Sequence, residues 1–113
     1  MHEASLAMNI IDIVTGEMKK YPGSKLKKIF VDIGEFTHID AETLRFAYEV
    51  ASKEDNLAES SLEISAIPLI LGCKSCKKEF SGEEYIFTCP SCKSKEIEIL
   101  KGREFRITEL EVD

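Results

Sequence analysis

Four cysteines occur in this chain, and they fall into two identical spacings: Cys73-Lys-Ser-Cys76 and Cys89-Pro-Ser-Cys92, with twelve residues between them. Each Cys-x-x-Cys puts two thiolates on one tight turn, where both can face a single ion. Two such turns brought together make a tetrahedral four-sulfur site, the geometry that suits Zn²⁺. Zn(II) on Cys73, Cys76, Cys89 and Cys92 is therefore the expected metal. Iron accepts the same sulfur geometry, and a reversible dithiol is the remaining alternative. A four-thiolate site is coordinatively full, so it builds structure and leaves function to be sought elsewhere. The spacing predicts a zinc ribbon over residues 71–100, with short strands at Tyr85-Ile86-Phe87 and at Glu96 to Leu100.

The flanking sequence reads as α/β. From Ser5 to Lys20, Leu6, Ile10, Ile13, Val14 and Met18 recur at spacings of three and four, which predicts an amphipathic helix stopped by Tyr21-Pro22-Gly23-Ser24. Lys27 to Ile33 alternates, with Ile29, Val31 and Ile33 on one face, and predicts a strand. Asp40 is placed to cap a second helix marked by Leu44, Ala47, Tyr48 and Ala51 and ended by Asp55-Asn56. Leu62, Ile64 and Ala66 give a second strand, ending near Pro68. Arg103 to Val112 gives a third, in which Phe105 and Ile107 share one phase and Leu110 and Val112 the other; a bulge near Thr108-Glu109 would reconcile them. This last strand is expected to return and pair with the first two. The result is a small three-stranded sheet with two helices, made from residues 1–70 and 101–113, with the zinc ribbon inserted.

Charge narrows the function. With 15 cationic and 21 acidic side chains, the net charge is −6, and four thiolates on one Zn²⁺ would make it more negative. Such a chain is repelled by nucleic acid. Lys74, Lys77 and Lys78 read as a solvated turn offset by Glu79, Glu83 and Glu84. No apolar run is long enough to span a membrane, and no signal-peptide pattern opens the chain. Paired Cys-x-x-Cys turns without an export signal fit the reducing cytoplasm. No nucleophile–base pair or phosphate loop is visible, so no catalytic step is expected.

The other chemically distinctive segment is Met1-His2-Glu3. Methionine is retained before a residue as large as histidine, which leaves an α-amine one residue from an imidazole. The Met1 amine, the His2 amide and ring nitrogen, and the Glu3 amide can together form a plane of four nitrogens, which suits Ni(II) or Cu(II). By itself such a pattern is more often a solvated chain end. His38 could add a ligand but reads first as a loop histidine; Asp40 could approach His2 but is explained by capping.

Taken together, the chain resembles the HypA/HybF family of hydrogenase-maturation nickel metallochaperones. The resemblance is carried by Met1-His2-Glu3, Val31-Asp32-Ile33-Gly34-Glu35, Leu44-Arg45-Phe46-Ala47-Tyr48-Glu49, the two Cys-x-x-Cys turns, and Gly102-Arg103-Glu104-Phe105-Arg106-Ile107. It implies Ni(II) at Met1, His2 and Glu3, and structural zinc on the four cysteines. It also implies delivery of nickel to the large subunit of a nickel–iron hydrogenase with a GTPase partner, and in some lineages supply of urease maturation proteins. Monomer and dimer are both compatible with it. The competing reading is a zinc-ribbon adaptor that binds protein or nucleic-acid partners.

Overall fold

A computed structural model describes residues 2–53 and 57–113. Its elements are α1 (Glu3–Met18), β1 (Leu26–Gly34), a 3-10 turn (Glu35–Thr37), α2 (Ala41–Ser52), β2 (Ser61–Ile67), β3 (Ile70–Cys73), β4 (Glu79–Ser81), β5 (Ile97–Lys101) and β6 (Phe105–Val112). They form two three-stranded sheets, ordered β2-β1-β6 and β4-β3-β5. The second sheet lies wholly between β2 and β6 in the chain, so the last strand does return to the first two, as the sequence predicts.

The chain divides into two compact units: residues 1–31, 39–65 and 106–113 in one, residues 32–38 and 66–105 in the other. The first unit is built on apolar helix faces. Leu6, Ala7, Ile10, Ile11 and Val14 of α1 are buried, and α1 packs against α2. The expected stripe is therefore rotated: Ile11 takes the place assigned to Ile13, which is 59% exposed. Spacings of three and four locate a face only to within one residue either side, and the partner helix decides between them. Full burial of such a side chain contributes roughly 1.5–3 kcal/mol. Ile29, Val31 and Ile33 of β1 all point inward, as alternation predicts. In β6, Ile107 and Leu110 are half-buried with exposed Thr108 and Glu109 between them, so the inward phase changes where the sequence indicates.

Among the described residues, no buried side-chain nitrogen or oxygen lacks a hydrogen-bond partner. Tyr48 is buried and its hydroxyl lies 2.6 Å from Ser60 Oγ. Ser60 Oγ donates its own proton to the Leu57 carbonyl at 2.6 Å, so Tyr48 must be the donor to Ser60. Burial pushes the Tyr48 phenol above its usual value, with the Ser60 bond opposing. The predicted helix stop at Asp55-Asn56 lies outside the described residues.

In the second unit, β3 is the middle strand, antiparallel to both β4 and β5. Leu69, Leu71, Cys73 and Cys89 are buried in it. Two glycines fix how residues 32–38 meet the rest of this unit. A Cβ on Gly34 would collide with the Gly102 carbonyl, and Gly102 has φ +121°, a conformation that side chains rarely adopt. The close approach lets the Gly34 N–H donate to the Glu104 carbonyl at 2.7 Å and the Phe36 N–H to the Gly102 carbonyl at 2.8 Å. The Glu35 carboxylate then accepts from the Leu69 N–H at 3.0 Å and from the Tyr85 hydroxyl at 3.3 Å.

One expected strand is absent. Tyr85-Ile86-Phe87 does not pair; Tyr85 sits at φ +55° and its N–H closes a turn onto the Gly82 carbonyl. Its ring and that of Phe87 pack on Phe36, with centroids 6.0 Å away in each case. Three apolar residues are too few to specify alternation, and aromatic packing claimed them instead. The other expected strand, Glu96 to Leu100, forms as β5, whereas β3 and the three-residue β4 have no comparable periodicity in the sequence.

Candidate metal centres

The two Cys-x-x-Cys turns fold alike. In the first, the Cys73 N–H donates to the Lys78 carbonyl and the Lys77 N–H to the Cys73 carbonyl, both at 2.9 Å. In the second, the Cys89 N–H donates to the Ser94 carbonyl at 2.9 Å and the Lys93 N–H to the Cys89 carbonyl at 3.0 Å. Each turn also aims the amide of its second cysteine at the sulfur of its first, Cys76 N–H to Cys73 Sγ and Cys92 N–H to Cys89 Sγ, at 3.4 Å in both. Thiolates accept such bonds readily, so the backbone itself stabilises negative sulfur.

The pairing between turns is two-fold related. Cys73 Sγ lies 3.5 Å from Cys92 Sγ, and Cys76 Sγ 3.6 Å from Cys89 Sγ. Ser75 Oγ meets Ser94 Oγ at 3.1 Å, while Lys78 Nζ donates to Ser91 Oγ at 2.9 Å. The residue two places into each turn thus bonds the residue five places into the other. All four sulfurs lie within 4.8 Å of one another. A tetrahedron with Zn–S bonds of about 2.3 Å has sulfurs about 3.8 Å apart, so the cage fits one such ion. Cys73 and Cys89 are buried, Cys76 and Cys92 exposed.

Electrostatics favour a cation there. The Cys76 backbone N–H lowers the Cys73 thiol, and the Cys92 backbone N–H brings Cys89 down to about 6. Cys92 feels the Ser94 N–H in the same sense, yet the neighbouring thiols and burial push it up to about 11. A divalent ion held by the four sulfurs would favour their deprotonated forms.

The second predicted site lies at the start of α1. His2 is the N-cap residue, extended at φ −87° and ψ 120°, exposed, and without a side-chain cap bond. Its carbonyl accepts from the Leu6 N–H at 3.2 Å. The Glu3 amide opens the helix, where a backbone N–H has no carbonyl one turn back to bond. The Glu3 carboxylate accepts from the Asp40 N–H at 3.1 Å. That bond, more than any other, holds the Glu3 carboxyl below its usual value. Asp40 caps α2 as expected, accepting from the Glu42 N–H at 3.0 Å and the Thr43 N–H at 3.5 Å. Glu3 and Asp40 thereby tie the first turns of α1 and α2 together. The sequence offers the Glu3 carboxylate as a partner that positions His2 and carries no signal for its bond to the Asp40 N–H. Met1 lies outside the described residues.

His38 is exposed at φ +59°, with its ring 5.7 Å from those of Phe36 and Tyr85. Lys74, Lys77 and Lys78 are exposed, in keeping with a solvated turn, and among the described residues none forms an ion pair with the acids that follow in sequence.

Among the described residues no helix is long and apolar enough to cross a membrane. A family model described as hydrogenase/urease nickel incorporation, metallochaperone, HypA, matches residues 1–112. A hydrogenase maturation factor HypA of Lawsonia intracellularis is 40% identical, with all of both chains covered. One from Desulfatibacillum aliphaticivorans is 35% identical over 99% of this chain and 87% of the other. The solution structure of a HypA protein superposes with a TM-score of 0.74 at 29% identity, covering 98% of this chain and 95% of that one. The solution structure of the nickel metallochaperone HypA from Helicobacter pylori gives 0.69 at 30% identity, covering 98% and 97%. With the whole length matched and both folds alike, the chain belongs to the HypA family of nickel-incorporation metallochaperones of hydrogenase maturation.

Proposed function

We propose that the protein carries Ni(II) on Met1, His2 and Glu3 and delivers it to the large subunit of a nickel–iron hydrogenase. The supporting observation is the start of α1: an exposed imidazole that makes no cap bond, next to an amide that has no place in the helix ladder. Ligation there by the Met1 amine, the His2 amide and ring, and the Glu3 amide breaks no hydrogen bond within the helix. Such a donor set is square-planar and suits Ni(II). The His2 imidazole is exposed, which lets a receiving protein reach the ion.

In this reading residues 1–70 and 101–113 form the nickel domain, and residues 71–100 hold Zn(II) on Cys73, Cys76, Cys89 and Cys92. Zinc supplies rigidity there, since four sulfurs leave no open position for chemistry. The protein performs no catalytic step of its own. It works in the cytoplasm with a GTPase and, in some lineages, with urease maturation proteins.

The test is metal content. Untagged protein should contain one nickel and one zinc per chain by mass spectrometry after loading. His2→Ala should lose the nickel and keep the zinc. Equal nickel in both proteins would refute the site.

A further inference from the structure

Each cysteine turn has one buried and one exposed sulfur: Cys73 and Cys76 in the first, Cys89 and Cys92 in the second. The exposed sulfur of each turn meets the buried sulfur of the other. Cys92 Sγ lies 3.5 Å from Cys73 Sγ, and Cys76 Sγ 3.6 Å from Cys89 Sγ. These four are the only cysteines in the sequence, so no other thiol of the chain competes for them.

The placement of the turns does not depend on the sulfurs. Ser75 Oγ meets Ser94 Oγ at 3.1 Å, and Lys78 Nζ donates to Ser91 Oγ at 2.9 Å. The backbone adds a firmer tie: Cys73 at the end of β3 pairs with Ile97 of β5, and the Lys74 N–H donates to the Glu96 carbonyl at 2.9 Å. The two sulfur pairs therefore stay in register without an ion between them. A full coordination sphere blocks entry of a further ligand, but it does not stop an exposed thiolate from attacking an oxidant.

We infer that the cysteine site is a reversible peroxide-sensitive switch whose oxidised form carries two cross-turn disulfides, Cys73–Cys92 and Cys76–Cys89. In each pair the exposed thiolate attacks hydrogen peroxide. An S–O bond forms, the O–O bond breaks, and hydroxide leaves a sulfenic acid on the cysteine. The buried thiolate then attacks that sulfur, so the S–S bond forms, the S–O bond breaks and a second hydroxide leaves. Each pair gives up two electrons and one peroxide takes them, so two peroxides convert the chain and free the ion that the sulfurs hold. Bonds within a turn would close very short loops. Bonds across the turns close longer ones, which restrict the unfolded chain more, and they keep the turns joined once the ion has left. That the ion is zinc rests on the function proposed for these cysteines; the pairing of the sulfurs does not.

The test treats the full zinc-loaded chain with increasing hydrogen peroxide. Zinc release is followed with a chromogenic chelator, and disulfides are mapped by tandem mass spectrometry of non-reducing digests. Two peroxides per chain should release the zinc, link Cys73 to Cys92 and Cys76 to Cys89, and leave β3 and β5 protected in hydrogen exchange. Dithiothreitol with Zn²⁺ should restore the starting state. Cys76→Ser checks the pairing separately: Cys73 should still join Cys92 and leave Cys89 a free thiol, whereas pairing within turns would join Cys89 to Cys92 and leave Cys73 free. Any other pairing in the native chain, oxidation to sulfinic acid without disulfides, or thiols that stay reduced overturns the inference. A native chain that holds no zinc refutes the zinc assignment alone, and its disulfide map still decides the pairing.

Discussion

The two candidate metal centres are built on opposite plans. The cysteine site draws four side chains from two turns, backs them with backbone N–H groups, and closes the coordination sphere. The proposed nickel site draws mostly on backbone groups where a helix has not yet begun. In the first, sequence spacing alone nearly specifies the geometry. In the second, the donors are ones that every chain start possesses, and only His2 distinguishes it. In the proposed reading, that contrast suits the first to permanent structure and the second to transfer.

Mutations can break the comparison or sharpen it. The largest effects should be losses of one metal without the other. His2→Ala is expected to weaken nickel by more than about a hundredfold, because the imidazole closes the chelate; titration with zinc monitored in parallel checks it. Cys73→Ala should do the reverse. It leaves three sulfurs, and structural zinc in small modules contributes about 10–16 kcal/mol of apparent folding free energy. Hydrogen exchange should show lost protection in β3, β4 and β5 with α1 and α2 still protected and nickel still bound. If removing either metal residue released both metals, the two sites would not be separate in the way described here.

Smaller effects should follow the two units. Gly34→Ala places a methyl against the Gly102 carbonyl, where backbone must move. A loss of about 2–4 kcal/mol is expected in urea unfolding, and zinc should leave faster. Tyr48→Phe deletes one buried hydrogen bond while Ser60 keeps its bond to Leu57. About 1 kcal/mol should be lost with zinc release unchanged.

The pH dependence follows the shifted groups. The Tyr48 phenol is raised in the folded protein, so its contribution is full below about pH 10 and fades as pH rises through the folded value. The Glu3 carboxyl is lowered, so its contribution is full above its ordinary value of 4.5 and fades as pH falls through the folded one. Tyr48→Phe should flatten the alkaline limb and Glu3→Gln the acid limb of a stability profile measured by urea midpoints.

Much of this was legible in the residues. The alternation of Ile29, Val31 and Ile33, the Asp40 cap and the cysteine spacing are local signals, and each produced the expected structure. What stayed hidden depended on distant partners. Whether Ile11 or Ile13 faces inward is set by the packing around α1, since both fit the helical period. Tyr85 and Phe87 look like a strand until Phe36, far back in the chain, offers its ring. The Glu3 carboxylate found its donor 37 residues away, at the cap of α2. The glycines of Val31-Asp32-Ile33-Gly34-Glu35 and Gly102-Arg103-Glu104-Phe105 look unrelated in sequence; Gly34 leaves room for the Gly102 backbone, and Gly102 leaves room for Leu69 at a positive φ.

X-ray absorption at the nickel edge of the untagged, zinc-loaded protein tests the central claim most directly. The account predicts a planar set of nitrogen donors that includes one imidazole, absent in His2→Ala. A spectrum of oxygen or sulfur donors without imidazole scattering, or one that His2→Ala leaves unchanged, would contradict it.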